Sequence, residues 1–102
     1  ILGLETALPL SLKLVKKQKI SLKRLVELLS TRPSQLFQLN RGTLKPGSIA
    51  DVTVFSADEP WVYRVSEGFS KSRNSPFDGW KMEGRVKYTM VSGKITYQSN
   101  PL

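Results

Sequence analysis

The sequence predicts a mixed fold in which helices come first and a few mainly antiparallel strands follow. Apolar residues recur with helical spacing over roughly the first 40 residues, and the pattern alternates after Gly42. Ser92 and Gly93 separate two alternating runs, as the residues of a tight hairpin turn do. The 102 residues suffice for one small domain with a modest core.

The first two helices are expected to begin at Thr6 and Ser21, which are residue types favoured as N-terminal caps. Pro9 then lies in the first turn of the first helix, where its missing N–H costs little. The second helix carries one apolar stripe with the spacing of a buried face, and we expect this stripe to be buried. Its members are Leu22, Leu25, Val26 and Leu29.

A short third helix is expected to open at Thr31 and Pro33, since proline fits the first turn of a helix. Asn40 or Gly42 is expected to end it, because both residues tolerate left-handed backbone. Gly42 also marks the point at which the helical period gives way to alternation.

Three strands are expected, at residues 51–55, 86–91 and 94–97, because side chains alternate there between apolar and polar. Residues 56–84 contain scattered Pro and Gly and are expected to form a long irregular loop. A loop of this length usually has a packing or functional role, and its aromatic rings are its expected anchors. These rings belong to Trp61, Tyr63, Phe69, Phe77 and Trp80.

The composition excludes several kinds of active site within this chain. It contains no His and no Cys, so Ser-His-Asp and Cys-His catalysis are excluded, and a zinc site would have to use Asp and Glu alone. The acidic residues are scattered, without the spacing of a catalytic pair. Asp51 is expected to bond local backbone N–H groups, and Asp58 and Glu59 are expected to cap a turn.

The net charge of +8 leaves an alternative of a different kind open. Nine of the 16 basic side chains but only two of the eight acidic ones lie in residues 1–50. Such a basic half suggests an anionic partner or an acidic surface of a larger protein, so a small basic nucleic-acid-binding module is the alternative. No nucleic-acid-binding signature is present, and no apolar stretch approaches the length of a membrane span. We therefore expect neither nucleic acid nor membrane as a partner.

Four segments resemble those of cyclic amidohydrolases, and two of them are typical of dihydroorotases of the longer, class I form. Residues 1–10 contain the run G-L-E-T-A-L-P-L, and residues 70–80 contain S-K-S-R-N-S-P-F. Residues 42–54 resemble the stretch with which the chain of cyclic amidohydrolases returns to a small β domain. Residues 84–95 resemble the last strands of the family and are shared with allantoinases and hydantoinases. The resemblance covers nearly the whole chain.

The resemblance implies an α/β parent protein that consists of a metal-dependent (β/α)8 hydrolase barrel and a small composite β domain. Residues 1–42 would be the last helices of the barrel domain. Residues 43–102 would be the C-terminal part of the small β domain, with the long loop at 56–84. The implied activity is the interconversion of N-carbamoyl-L-aspartate and L-dihydroorotate in pyrimidine biosynthesis, in the cytoplasm.

The resemblance implies no catalytic or metal-binding residue in this chain. Zinc is expected in the parent, bound by residues upstream, and none is expected to be bound here. Gly3 and Glu5 are expected to support the end of a substrate loop. The expected partners are the N-terminal remainder of the protein, a small-molecule substrate, a second copy in a homo-oligomer, and aspartate carbamoyltransferase, which some relatives bind.

The chain alone is expected to be inactive and prone to aggregate, because its sheet edges and helix faces lack cover. Two alternatives remain within the superfamily. One is a fragment of an allantoinase-like or hydantoinase-like protein, and the other is a fragment of an inactive dihydroorotase-like protein.

Overall fold

The computed structural model describes residues 2–99, in which a helical part precedes a three-stranded antiparallel sheet, as predicted. Two parts of the chain lie outside the described residues. They are residue 1, the first of the family-like segment 1–10, and residues 100–102, the end of the expected β domain. No helix within residues 2–99 is long and apolar enough to cross a membrane. The helices are α1 (Ala7–Lys16), α2 (Leu22–Val26) and α3 (Arg32–Leu36), and the strands are β1 (Val52–Val62), β2 (Lys81–Val91) and β3 (Lys94–Gln98).

The side chain of Thr6 does not cap α1, so the predicted cap is wrong. A capping residue needs extended backbone before its oxygen can accept from the first turn, whereas Thr6 has φ −108° and ψ −11°. Its buried hydroxyl instead donates to the carbonyl oxygen of Gly3 at 3.4 Å. The same carbonyl accepts the N–H of Ala7 at 3.0 Å, so backbone rather than a side chain starts the helix.

The second and third helices are not separate as predicted, because a π-helical turn at Glu27–Thr31 joins α2 to α3. The Ser21 cap is confirmed, since its Oγ accepts the N–H of Arg24 at 3.0 Å. A regular helix is incompatible with Pro33, whose ring has no N–H and would clash with the carbonyl four residues back. The wider turn, in which Arg32 donates to the carbonyl of Glu27, relieves this conflict.

Asn40 and Gly42 do not end the third helix, which already stops at Leu36. Gln38 takes the left-handed backbone, with φ 53°, and the N–H of Leu39 bonds the carbonyl of Ser34 at 3.0 Å. This is the hydrogen-bond pattern of a Schellman cap, with glutamine at the position that usually holds glycine. The sequence carries no strong signal for such a cap.

The hairpin between β2 and β3 is confirmed, with positive φ at both Ser92 (49°) and Gly93 (79°). Asp51 fixes this turn from a distance, because its Oδ1 accepts the N–H of Ser92 at 2.8 Å. Its Oδ2 accepts from Nε of Arg41 at 2.7 Å. The expectation of local bonds for Asp51 is therefore wrong. The N–H of Ser92 and the guanidinium together lower the pKa of the Asp51 carboxyl.

The irregular loop is shorter than the predicted 56–84, because β1 extends to Val62 and β2 begins at Lys81. The register of β1 against β2 shifts between Ser56 and Pro60. Within the described residues β1 pairs only with β2, and an edge strand of this kind tolerates a proline and a bulge. The turn signals in the sequence thus mark an irregular strand rather than the start of a loop.

Helix α1 packs on the sheet through Leu12, whose side chain is 1% exposed. A Cβ built on Gly84 of β2 would lie 2.4 Å from Cδ1 of Leu12, so the leucine fills the space that the glycine leaves. A second buried cluster contains Tyr63, Val65 and Met82.

The apolar stripe of the second helix is only partly buried. Leu25 is 3% exposed, but Leu22, Val26 and Leu29 remain 40–50% exposed. The expectation that the whole stripe is buried is therefore wrong within residues 2–99. The expectation of uncovered helix faces agrees with these exposures.

Substitution of Gly84 by Ala is expected to destabilise the folded chain by about 2–4 kcal/mol, since the new Cβ meets Leu12 and φ is +102°. Gly47→Ala is the matched control, because its φ is +87° but nothing lies within 4 Å of the added Cβ. The control is expected to cost about 1 kcal/mol from backbone strain alone. Urea unfolding followed by circular dichroism measures both. Equal losses would contradict the packing role of Gly84.

Candidate functional site

The segment before α1 holds the two residues for which the sequence predicts a supporting role. The carbonyl oxygen of Gly3 accepts the N–H groups of Thr6 and Ala7, at 3.3 Å and 3.0 Å. A Cβ added to Gly3 would meet nothing within 4 Å in the described residues. Its backbone oxygen, rather than the absence of a side chain, is therefore what the local structure uses.

The carboxylate of Glu5 reaches the loop between β1 and β2. Its Oε2 accepts the N–H of Phe69 at 3.4 Å, and a Cβ built on Gly68 would lie 2.9 Å from the same oxygen. The N–H of Leu2 donates to the carbonyl oxygen of Asn74 at 2.7 Å. The bond from Leu2 to Asn74 thus joins the two family-like segments that are typical of dihydroorotases, although these residues are far apart in the sequence.

Hydrogen bonds within the loop between β1 and β2, which Glu5 contacts, stabilise its conformation. Oδ1 of Asp78 accepts the N–H of Val65 at 2.9 Å, and Nη1 of Arg73 donates to the carbonyl oxygen of Val65 at 2.8 Å. The backbone of Tyr63 exchanges hydrogen bonds with Trp80 and Gly79 at 3.0 Å and 2.7 Å. Sequence reasoning missed Asp78 and Arg73 as loop braces, since neither belongs to a recognisable spacing.

The aromatic anchors predicted for this loop divide into two groups. Tyr63 is 2% exposed, and Trp61 and Phe77 pack against its cluster as expected. Phe69 is 81% exposed and touches Tyr97 edge-on, with ring centroids 5.9 Å apart. Trp80 is half exposed, and the ammonium of Lys13 lies over its ring, 4.7 Å from the ring centroid. Phe69 and Trp80 are therefore not core residues of the described part of the chain.

An open cleft of about 480 Å³ lies between the segment before α1 and one face of the sheet. Its walls are mostly apolar and aromatic, and four charged residues also line it, namely Glu5, Arg64, Glu67 and Arg85. Residues on its walls include Leu4, Leu8, Trp61, Tyr63, Phe69 and Tyr97. Such a wall resembles a surface that packs against other protein more than a site with converging reactive groups.

Glu59 does not cap a turn as predicted but forms an ion cluster between β1 and β2. Its Oε1 accepts from Nζ of Lys87 at 2.6 Å, and its Oε2 lies 3.7 Å from Nη1 of Arg85. The hydrogen bond from Lys87 lowers the pKa of the Glu59 carboxyl. Asp58 lies 3.6 Å from Nζ of Lys16, which also bonds Glu83, and this bond raises the pKa of the lysine.

The zinc that the resemblance implies for the parent protein finds no group of ligands among the described residues. Within residues 2–99, no group of three or more His, Cys, Asp or Glu side chains lies close enough together to hold a metal ion. The carboxylates of Asp51, Glu59, Asp78 and Glu83 are each bonded to Lys, Arg or backbone N–H groups. We therefore derive no reaction step through zinc at these residues.

Comparison with known proteins places this fold. Residues 1–96 match the model of the amidohydrolase family. The chain is 50% identical over 99 residues to a dihydroorotase of Geobacter sp. (strain M21), which covers 97% of this chain and 23% of that protein. It is 43% identical over 98 residues to a dihydroorotase of Aquifex aeolicus (strain VF5), with 96% and 23% covered.

Among solved structures, the L-hydantoinase (dihydropyrimidinase) from Arthrobacter aurescens matches with a TM-score of 0.89 and 38% identity, over 99% of this chain and 23% of that chain. The chain belongs to the amidohydrolase family. The curated relatives named above are dihydroorotases, so the resemblance seen in the sequence is confirmed. The chain spans about 23% of their length.

The lowered pKa of Glu59 predicts that the folded chain loses stability as the pH falls below about 4.3, the ordinary pKa of glutamate. Above that pH the carboxylate is charged and bonded to Lys87. Below it the unfolded chain takes up a proton first, and the contribution is fully lost once the pH has fallen through the lowered pKa of the folded chain. Glu59→Gln is therefore expected to lower the urea concentration at the unfolding midpoint at neutral pH. As the pH is lowered, this midpoint is expected to decrease less steeply in the variant than in the wild type. Asp58→Asn, at a side chain 91% exposed, is the control and is expected to keep the wild-type slope. Equal acid slopes in E59Q and the wild type would contradict the prediction.

Proposed function

We propose that this chain is the C-terminal portion of a dihydroorotase, the enzyme that interconverts N-carbamoyl-L-aspartate and L-dihydroorotate in pyrimidine biosynthesis. The observation that carries the proposal is the 50% identity with a dihydroorotase across 97% of the chain. The hydantoinase neighbour shares the fold closely but has only 38% identity. We therefore propose that the substrate of the whole protein is dihydroorotate rather than a hydantoin.

In this proposal the chain contributes structure rather than chemistry. Its described residues offer no metal-ligand cluster, and the predicted supporting residues Gly3 and Glu5 use a backbone oxygen and a brace to a loop. The exposed leucines of the helical part and the apolar cleft are surfaces that the remainder of the enzyme would cover. Zinc would be bound by that remainder, which is the chain's principal proposed partner.

The other expected properties remain proposals of the same kind. They are a cytoplasmic location, a small-molecule substrate, assembly as a homo-oligomer and association with aspartate carbamoyltransferase. Their support is the similarity to curated dihydroorotases and the amount of apolar surface that residues 2–99 leave exposed.

A chimera tests the proposal. The segment of the Geobacter sp. dihydroorotase that aligns with this chain is replaced by residues 1–102, and hydrolysis of dihydroorotate is measured. We expect activity within about tenfold of the intact relative, because a supporting segment with the same fold leaves the reacting groups in place. The control chimera carries the aligned segment of the Arthrobacter hydantoinase.

Two results would contradict the proposal. One is a folded chimera that hydrolyses hydantoins and does not act on dihydroorotate. The other is turnover of dihydroorotate by the 102-residue chain alone with added zinc, which would place the chemistry inside this chain.

A further inference from the structure

The contact between Glu5 and the turn at residues 65–69 ties together two distant parts of the chain. Oε2 of Glu5 lies 3.4 Å from the backbone nitrogen of Phe69. It also occupies the space next to Gly68 that any other residue would fill, since a Cβ there would lie 2.9 Å away. The carboxylate lies this close to the turn because position 68 has no side chain, and a Cβ there would force the carboxylate to shift.

The turn that receives Glu5 is itself fixed to the sheet. The N–H of Val65 donates to Asp78, and the carbonyl oxygen of Val65 accepts from Arg73. The ring of Phe69 packs edge-on against Tyr97 of β3. The turn is therefore a braced platform, and Glu5 is the side chain by which the segment before α1 reaches it.

A second bond holds the same segment close by. The N–H of Leu2 donates to the carbonyl oxygen of Asn74 at 2.7 Å, three residues before the Glu5 contact along the segment. Residues 2–6 thus have two attachments to the loop between β1 and β2, one through backbone and one through a side chain. The side-chain attachment can be removed by mutation without changing the backbone.

We infer that Glu5 is a positioning residue, which holds residues 2–6 on the braced turn and so sets the path of the chain into α1. This inference rests on the proposed function. In a (β/α)8 barrel, the loops that precede the helices form the face that carries the active site. If α1 is a barrel helix, residues 2–6 end one of these loops, and Glu5 acts on the substrate site through their placement.

The contact requires a hydrogen-bond acceptor in the side chain at position 5. The N–H of Phe69 needs an acceptor oxygen at the end of a side chain of this length, and within residues 2–99 Glu5 forms no salt bridge with a Lys or Arg side chain. A glutamine offers an amide oxygen at the same distance from the backbone and is expected to restore the bond. An alanine removes the acceptor and leaves the N–H of Phe69 to water.

The test compares Glu5→Ala and Glu5→Gln in the chimera described above. We expect Glu5→Ala to raise KM for dihydroorotate about tenfold with kcat nearly unchanged, since a displaced loop weakens substrate binding without altering the reacting groups. Glu5→Gln is expected to keep KM within about twofold of the chimera. Glu67→Ala, which removes a carboxylate from the same turn, is the matched control and is expected to leave both constants unchanged.

A double-mutant cycle with Gly68→Ala tests the contact itself. Gly68→Ala alone is expected to raise KM because its Cβ displaces the Glu5 carboxylate. Added to Glu5→Ala it is expected to have a smaller effect, because only the carbonyl oxygen of Val65, at 3.2 Å, then lies close to the new Cβ. Additive effects of the two substitutions would overturn the inference.

Hydrogen exchange separates a failure of this inference from a failure of the proposed function. In both the chimera and the 102-residue chain, Glu5→Ala is expected to speed exchange at the Phe69 amide several-fold, and Glu5→Gln is not. Unchanged exchange in Glu5→Ala, or an unchanged KM in an active chimera, would overturn the positioning role. If the chimera has no activity, the proposed function fails, while the exchange data still decide whether Glu5 holds the turn.

Discussion

The seating of Leu12 against Gly84 is the contact on which the relation between helices and sheet depends. Leu12 is 1% exposed, and its Cδ1 would lie only 2.4 Å from a Cβ at position 84, so a larger residue there would force the leucine to move. Gly84 has φ +102°, a backbone conformation that residues with a Cβ rarely adopt. One glycine therefore provides both the space for the helix and the local shape of β2. The segment at residues 84–95 that resembles the family's last strands begins at this residue.

A small core explains why so much apolar surface remains uncovered. The described residues bury Leu12, Leu25, Tyr63, Val65 and Met82, while Leu36 and Phe37 at the end of the helical part are 70% and 74% exposed. A chain that spans about 23% of its relatives' length has the fold of one part of a larger protein. Under the proposed function its exposed faces are interfaces with the remainder of the protein, and its stability alone is then a poor guide to its stability in that assembly.

Sequence patterns predicted local structure well where one residue type determines the backbone. The Ser92-Gly93 hairpin and the Ser21 cap are examples, because a turn and a cap each need few residues. Patterns failed where the outcome depends on contacts across the chain. Asp51 bonds a turn 41 residues away, and no local signal reveals that partner. Glu5 was recognised through the family-like segment alone, and its contact with Phe69 required the folded loop.

The ion pairs orient the parts more than they hold them together. Lys16 links α1 to Asp58 and Glu83 on the sheet, and Asp51 links the hairpin to Arg41 beyond the helices. Exposed pairs of this kind contribute about 0–1 kcal/mol each, so they add little strength. They do restrict rotation of α1 about its single buried leucine, because a rotated helix would separate Lys16 from both carboxylates. The apolar contact therefore seats α1 on the sheet, the charges oppose its rotation there, and Glu5 ties residues 2–6 to the braced turn.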